Sequence, residues 1–298
     1  NFFMKVSITD RKNRSAEHWS IKTQKILKSN WKNLEQKSDS AKEFKNILYL
    51  DSKEFLNAFN KSNREKLMKI QSNLYNGNLI IIKKLFIKQE INLIKNYLKT
   101  IKNKKKSNFF KTLQNCPNFH RKIGPKESSK YVLNSDRHDF YFFPWNKKKE
   151  KLDLFKTFNP VWRKLKLLSG LKFKEFEKNK PKDGQIDRIL IRKYPNNTGY
   201  LEAHTDPKSL RIVSGIHFSE IGKDFDEGGL FFLVKKKIEN VEQYLKAGDM
   251  TLFYHSLKHG VQKVISKNNS FSGSRWWVGL TNPVSDEVKN RDIQKKVQ

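Results

Sequence analysis

The chain has 298 residues, enough to bury a sizeable core as one large domain or as a core with a smaller unit attached. Its 36% hydrophobic content contains no apolar run near the ~20 residues that span a bilayer, and its single cysteine, Cys116, excludes an internal disulfide. The 62 basic residues outnumber the 30 acidic ones, for a formal charge of +32. Lysine dominates, however, alongside abundant Asn, Ile and Phe, a bias of AT-rich coding that places lysines on solvated surfaces and disfavours nucleic acid as a partner.

The N-terminal stretch NFFMKVSITDRKNR lacks the apolar segment and small-residue cleavage site of a secretory signal, so a reducing compartment, the cytoplasm, is expected. Residues 1–70 are polar, with Trp19, Ile21, Ile26, Leu27 and Trp31 spaced loosely as on a helix; they predict a helical N-terminal extension to a domain over 71–298. LIIIKKLFI from position 79 reads as a strand, and KQEINLIKNYLKTIKN as a helix with Ile91, Leu93, Ile94 and Leu98 on one face.

The lysines at 102–106 and the segment through HRKIGPKESSK predict a loop. The stretch YVLNSDRHDFYFFPW reads as aromatic and irregular, with Arg137, His138 and Tyr141 placed to line a substrate entrance. LFKTFNPVWRKLKLLSG predicts a helix ending at Gly170. From 184 to about 283 come short strand candidates separated by turn residues: IDRILIRKY, GYLEAH, SLRIVSGIHF, GGLFFLV, DMTLFYH, HGVQKVIS and SRWWVGLT. Strands this short and regular predict a sandwich or barrel rather than parallel β/α units.

Chemistry concentrates in LEAHTDPKSL. In an extended segment residues i and i+2 project from one face, so His204 and Asp206 reach a common point. A third ligand is needed to hold an iron well, and the later strands offer His217, His255 and His259. His259, in KHGVQKV, follows a turn that returns the chain to the barrel mouth. His217 sits in an apolar strand and suits a packed position better, while His255 lies only four residues before His259. Two histidines and one carboxylate on one face of an octahedron, with open positions opposite, suit a non-haem Fe(II) that activates O2.

HTD at 204–206, KHGV with His259, and SRWWVGL with Arg275 resemble the Fe(II)- and 2-oxoglutarate-dependent dioxygenase superfamily, most closely its prolyl-hydroxylase-like branch. RKYPNNTGYLEAHTD, FDEGGLFFL and KAGDMTLFYH are similar to other strands and turns of that family. The resemblance implies an α+β fold, mainly β with flanking helices, around a double-stranded β-helix (jelly-roll, cupin-like) core at about 184–283. It implies that His204, Asp206 and His259 form the catalytic metal site, that Arg275 holds the distal carboxylate of 2-oxoglutarate, and that Tyr194 assists it. Fe(II), the cosubstrates 2-oxoglutarate and O2, and ascorbate as an accessory reductant come with it.

The implied reaction hydroxylates an unactivated C–H bond of a small-molecule or peptidyl substrate, open to an anionic group, and releases succinate and CO2. Asp206 favours hydroxylation, because related halogenases lack that carboxylate. A nucleic-acid demethylase of the same superfamily is the alternative, against which position 281 is Thr rather than a second arginine. A metal-binding cupin-like protein without oxidative chemistry is a further one. The interval from His259 to Arg275 is longer than the family's, which the polar turn KNNSFSGS accounts for. Trp277 shares the inward face with Arg275 and is expected to shape the pocket, while Arg211 is expected to pair on the surface. The sequence leaves the oligomeric state open.

Overall fold

A computed structural model describes residues 16–60, 63–104, 106–130, 133–266, 270–271, 273–288 and 295–296. Its elements in chain order are α1 (Ala16–Lys37), β1 (Ile47–Asp51), α2 (Ser52–Asn60), α3 (Arg64–Tyr75), β2 (Leu79–Lys83), α4 (Lys88–Lys104), β3 (Phe119–Ile123), α5 (Pro125–Ser128), β4 (Ser135–Phe142) and α6 (Leu154–Leu168). There follow β5 (Arg188–Tyr194), β6 (Tyr200–Thr205), β7 (Ile212–His217), β8 (Glu227–Val234), β9 (Lys237–Asn240), β10 (Met250–Tyr254), β11 (His259–Ile265), β12 (Arg275–Thr281) and β13 (Lys295–Lys296).

Hydrogen bonding orders one wall as β1-β2-β10-β7-β12-β5-β4 and the other as β6-β11-β8-β9. From β5 onward the chain alternates between them: β5, β7, β10 and β12 lie in the first wall, and β6, β8, β9 and β11 in the second. This crossing back and forth is a double-stranded β-helix, and it brings residues far apart in sequence to the rim of one barrel. β4 closes one side by pairing with β5 and, through Ser135 and Asp136, with β6.

The side-chain period of two decides what each strand shows to each layer. On β5 and β12, Ile189, Ile191, Trp276, Val278 and Leu280 face outward into the main core, where α1, α3, α4 and α6 cover the first wall. The alternate residues face into the barrel. β2 explains its unbroken apolar run in the same way: Ile80 and Ile82 join the helix-covered core, while Leu79 and Ile81 join a second cluster with Val213, Phe232 and Phe253. A strand apolar on both faces reads as a continuous hydrophobic segment.

α6 ends as expected at Gly170, whose φ of +83° is accessible to glycine. The amide of Leu171 donates to the Lys166 carbonyl at 2.8 Å and that of Gly170 to the Leu167 carbonyl at 2.9 Å, the paired bonds of a Schellman cap.

Three segments depart from the sequence expectation. PKES, also within the expected loop, forms α5. HRKI, expected in a loop, belongs to β3, and the aromatic stretch expected to be irregular contains β4. In SDRHDFYF, Arg137, Asp139 and Tyr141 face one way and His138, Phe140 and Phe142 the other, but charge in a barrel interior hides the usual apolar alternation. Residues 267–269 and 272 of the turn before Arg275, Lys105 of the lysine run, and Tyr131 and Val132 lie outside the described residues.

The segment before residue 70 contributes a strand as well as helices, since β1 pairs in parallel with β2. α1 reaches the core through Leu27 and Trp31, both fully buried. The Trp31 indole donates to the Leu168 carbonyl at 2.7 Å and stacks on Tyr254 with centroids 5.6 Å apart; the side chain of Trp19 lies outside the described residues. Among the described residues no helix is long and apolar enough to cross a membrane. Trp31→Ala should lower unfolding stability by about 3–5 kcal/mol in urea titration; a loss below about 1 kcal/mol would mean that α1 is not part of the cooperative unit.

Candidate metal centre and its cavity

His204 is the penultimate residue of β6 and His259 begins β11, and the two are direct cross-strand partners in the antiparallel pair. Their rings stand 4.4 Å apart between centroids. Asp206, two residues after His204, brings a carboxylate oxygen to 3.3 Å from Nε2 of His259. One ligand atom from each of the three lies within 4.8 Å of the others.

The backbone sets the imidazole tautomers. Nδ1 of His204 lies 2.9 Å from the carbonyl of Glu202, and Nδ1 of His259 lies 3.0 Å from that of Leu257. A carbonyl only accepts, so both Nδ1 atoms carry the proton and both Nε2 lone pairs remain for a ligand. Burial and the neighbouring His259 push His204 down to about 3, which keeps it in the neutral, ligating form at ordinary pH. Two imidazole nitrogens and a carboxylate suit a first-row divalent cation, so the donor set fits the iron that the sequence implied.

The other histidines are placed elsewhere. His255 donates through Nδ1 to the Asp206 carbonyl at 3.2 Å, while the Asp206 amide donates to the His255 carbonyl at 3.2 Å; it braces the ligand loop. His217 is buried inside the barrel with Nε2 3.1 Å from the Thr251 hydroxyl, which itself donates to the Gly215 carbonyl.

The three ligands open onto a cavity of about 430 Å³. β5 and β6 are consecutive, so the start of β5 lies at the metal end and its finish, Tyr194, at the closed end. Arg275 pairs across from Tyr194 and Thr281 across from Arg188. Arg275 is therefore deep in the barrel, with its guanidinium 5.2 Å from the Tyr194 ring centroid. Trp277 lies between the ends, its indole close against Gly215 and Gly279; a Cβ at Gly215 would come within 1.9 Å of the indole nitrogen.

Arg275 has a partner that sequence reasoning missed. Glu242, in a 3-10 turn at Glu242–Tyr244, accepts from Nε at 3.0 Å and from one terminal nitrogen at 2.9 Å. Gly229 makes the approach possible, because a Cβ there would fall 2.3 Å from Cγ of Glu242. Burial raises the Glu242 carboxyl, but Arg275 and His217 outweigh it and hold the group ionised. The other terminal nitrogen of Arg275 has no hydrogen bond among the described residues.

The barrel wall beside the metal is rich in arginine. Asp139, fully buried, accepts from Arg192 at 2.7 and 3.3 Å, from Arg137 at 3.1 Å and from the Tyr141 hydroxyl at 2.9 Å. Burial works against its ionisation, yet the two arginines hold its carboxyl well below the usual range. Arg137 and Tyr141 line the cavity as the entrance reading expected, but His138 faces away and contacts His120 at 2.8 Å. Arg211 pairs with Glu35 at 2.8 and 3.0 Å and caps α6 through the Ser169 carbonyl, outside the barrel.

Arg188, Arg192, Asp139 and Glu242 were not singled out from sequence. For the arginines a signal existed: in RILIRKY Arg188 and Arg192 take the parity opposite to Ile189 and Ile191 of the helix-covered face, which turns the arginines inward. Glu242 gave none, because it lies outside any regular strand.

No family model matches the chain, and no curated protein matches it. Several solved structures are similar in fold. A Pseudomonas putida prolyl-4-hydroxylase is 10% identical at a TM-score of 0.45, covering 72% of this chain and 96% of its own. A Trichoplax adhaerens prolyl hydroxylase, in complex with a hypoxia inducible factor peptide fragment, is 10% identical at 0.45, with coverages of 76% and 92%. A full-length Neurospora crassa protein in complex with alpha-KG and thymine is 14% identical at 0.48, with coverages of 80% and 86%. Such distant likenesses carry no residue-level information, and the site stands on its own geometry.

Three buried imidazoles give the metal-free protein a pH dependence. An unfolded histidine takes up its proton near 6.5, whereas burial holds His204 down to about 3, and His217 and His120 to about 4. The unfolded state therefore binds more protons, and stability falls as pH drops below about 6.5, by up to about 1.4 kcal/mol per pH unit for each histidine. Urea unfolding between pH 7 and 5 should show this slope; a flat profile would mean that these rings are hydrated.

Proposed function

We propose that the chain is an Fe(II)- and 2-oxoglutarate-dependent oxygenase that hydroxylates an unactivated C–H bond, and the observation that carries this reading is the three-ligand face at the mouth of a barrel with a buried arginine at its closed end. His204, Asp206 and His259 would hold the metal through two Nε2 atoms and one carboxylate oxygen. Iron bound there supplies O2 activation coupled to oxidative decarboxylation of 2-oxoglutarate to succinate and CO2.

The chain's own residues supply positioning. The carbonyls of Glu202 and Leu257 orient the imidazoles, and the Asp206–His255 backbone pair sets the carboxylate. Phe253 packs edge-on to His259 at 4.6 Å and, with Leu230 and Val261, supplies an apolar part of the cavity lining. At the closed end Arg275 offers its remaining edge to the distal carboxylate of 2-oxoglutarate, with Tyr194 beside it. The same arginine already neutralises Glu242, so a second carboxylate arrives next to a like charge. That opposition weakens cosubstrate binding.

Succinate formed from 2-oxoglutarate with Fe(II) and O2, without added substrate, tests the reading and separates it from a cupin-like protein that binds metal without oxidation. His204→Ala or Asp206→Ala should abolish succinate while the circular dichroism spectrum stays native; undiminished turnover in both variants would remove the metal site. Arg275→Ala should raise the 2-oxoglutarate KM by at least roughly tenfold, as expected for a lost charge-assisted contact. Glu242→Gln should move it the other way, lowering KM several-fold. A rise with Glu242→Gln would mean that the ion pair orders Arg275 rather than competing for it.

A further inference from the structure

Five arginines face the cavity, and four of them have a carboxylate within ion-pairing distance. Arg192 and Arg137 share Asp139, Arg275 has Glu242, and Arg121 reaches the partly exposed Glu127 at 3.4 Å. Arg188 has none among the described residues. Its Nε donates to the Thr281 hydroxyl at 3.3 Å, and its guanidinium lies 5.2 Å from the Tyr141 ring centroid. The Thr281 hydroxyl donates to the Arg188 carbonyl at 3.1 Å, so it is fixed as an acceptor for Nε. Both terminal nitrogens of Arg188 remain without a hydrogen-bond partner among the described residues.

Arg188 is half-buried, and a guanidinium there without a directly paired carboxylate is costly: burial lowers its pKa, although Tyr141, Asp139 and Asp286 act the other way. The other charges relieve it only in part. A divalent cation and a 2-oxoglutarate dianion cancel each other, Asp206 sits on the metal, and Asp139 and Glu242 are already shared with other arginines. Arg188 also lies at the metal end of the barrel, since it begins β5 and pairs with Thr281 at the end of β12. Tyr141 and Thr281 hold it from two sides and leave its outer fork directed at the shared cavity.

We propose that Arg188, held by Thr281 and Tyr141, is an anion-binding subsite at the cavity mouth that takes a carboxylate or phosphate group of a small-molecule substrate. The substrate role rests on the oxygenase reading above: the anion is fixed on β5 while the rest of the molecule reaches across to the metal face on β6 and β11. A planar fork that remains charged favours a bidentate oxyanion. A cavity of about 430 Å³ suits a small molecule rather than a folded partner.

The test is calorimetric titration of the full, metal-free chain with inorganic phosphate and, separately, with acetate. Saturable binding of at least one probe is expected, weakened at least tenfold by Arg188→Gln and unchanged by Arg211→Gln, which alters a paired arginine outside the barrel. The probe bound more tightly indicates the substrate's group. Equal affinity in wild type and Arg188→Gln, or no saturable binding of either probe to wild type, would overturn the subsite. Should Arg188→Gln not fold, phenylglyoxal labelling of the wild type decides: the binding probe should protect Arg188 in peptide mass analysis, and protection confined to other arginines would overturn it. Succinate formation is measured in parallel. Anion binding without succinate would keep the subsite and remove the oxygenase reading, and succinate without anion binding would do the reverse.

Discussion

The cross-strand pairing of His204 with His259 is the constraint on which the rest of the site depends. Fifty-five positions separate them in sequence (259 − 204), and only the alternation of strands between two walls sets β11 beside β6 in a register that opposes the two imidazoles. A slip of one residue would turn either ring to the other face of its strand. The same pairing lets each ring donate Nδ1 to the carbonyl two residues before it, so fold and tautomer are set by one geometry.

Electrostatic compensation governs the remainder of the cavity. The barrel interior carries far more charge than an ordinary core, and it persists because nearly every buried group is matched: Asp139 by two arginines, Glu242 by Arg275. Removing one partner from such a pair leaves a buried charge at a cost of about 3–5 kcal/mol. These pairs therefore give the pocket a fixed shape and a fixed pattern of charge. The Arg275–Glu242 pair makes the closed end less cationic than an isolated arginine would, while Arg188 makes the mouth more so.

Much of the architecture was legible because it follows local rules. The i, i+2 spacing of His204 and Asp206, the short strands from 184 onward and the Gly170 cap each report a conformation directly. β3 and β4 were obscured because their inward residues are Arg, Asp and Tyr, whose compensation lies on other strands. β1 was hidden because a five-residue edge strand between helices gives little periodic signal. Glu242 was illegible for a related reason: its role depends on Gly229 making room and on Arg275 arriving from a strand 33 residues later, neither of which local sequence encodes.

Cobalt(II) absorption reports most directly on whether three distant side chains converge on one ion. Titrating the chain with Co(II) should give d–d bands that saturate at one equivalent, shift when 2-oxoglutarate is added, and vanish in His259→Ala. Bands that persist unchanged in that variant, or no binding by the wild type, would contradict the convergence and the oxygen chemistry built upon it.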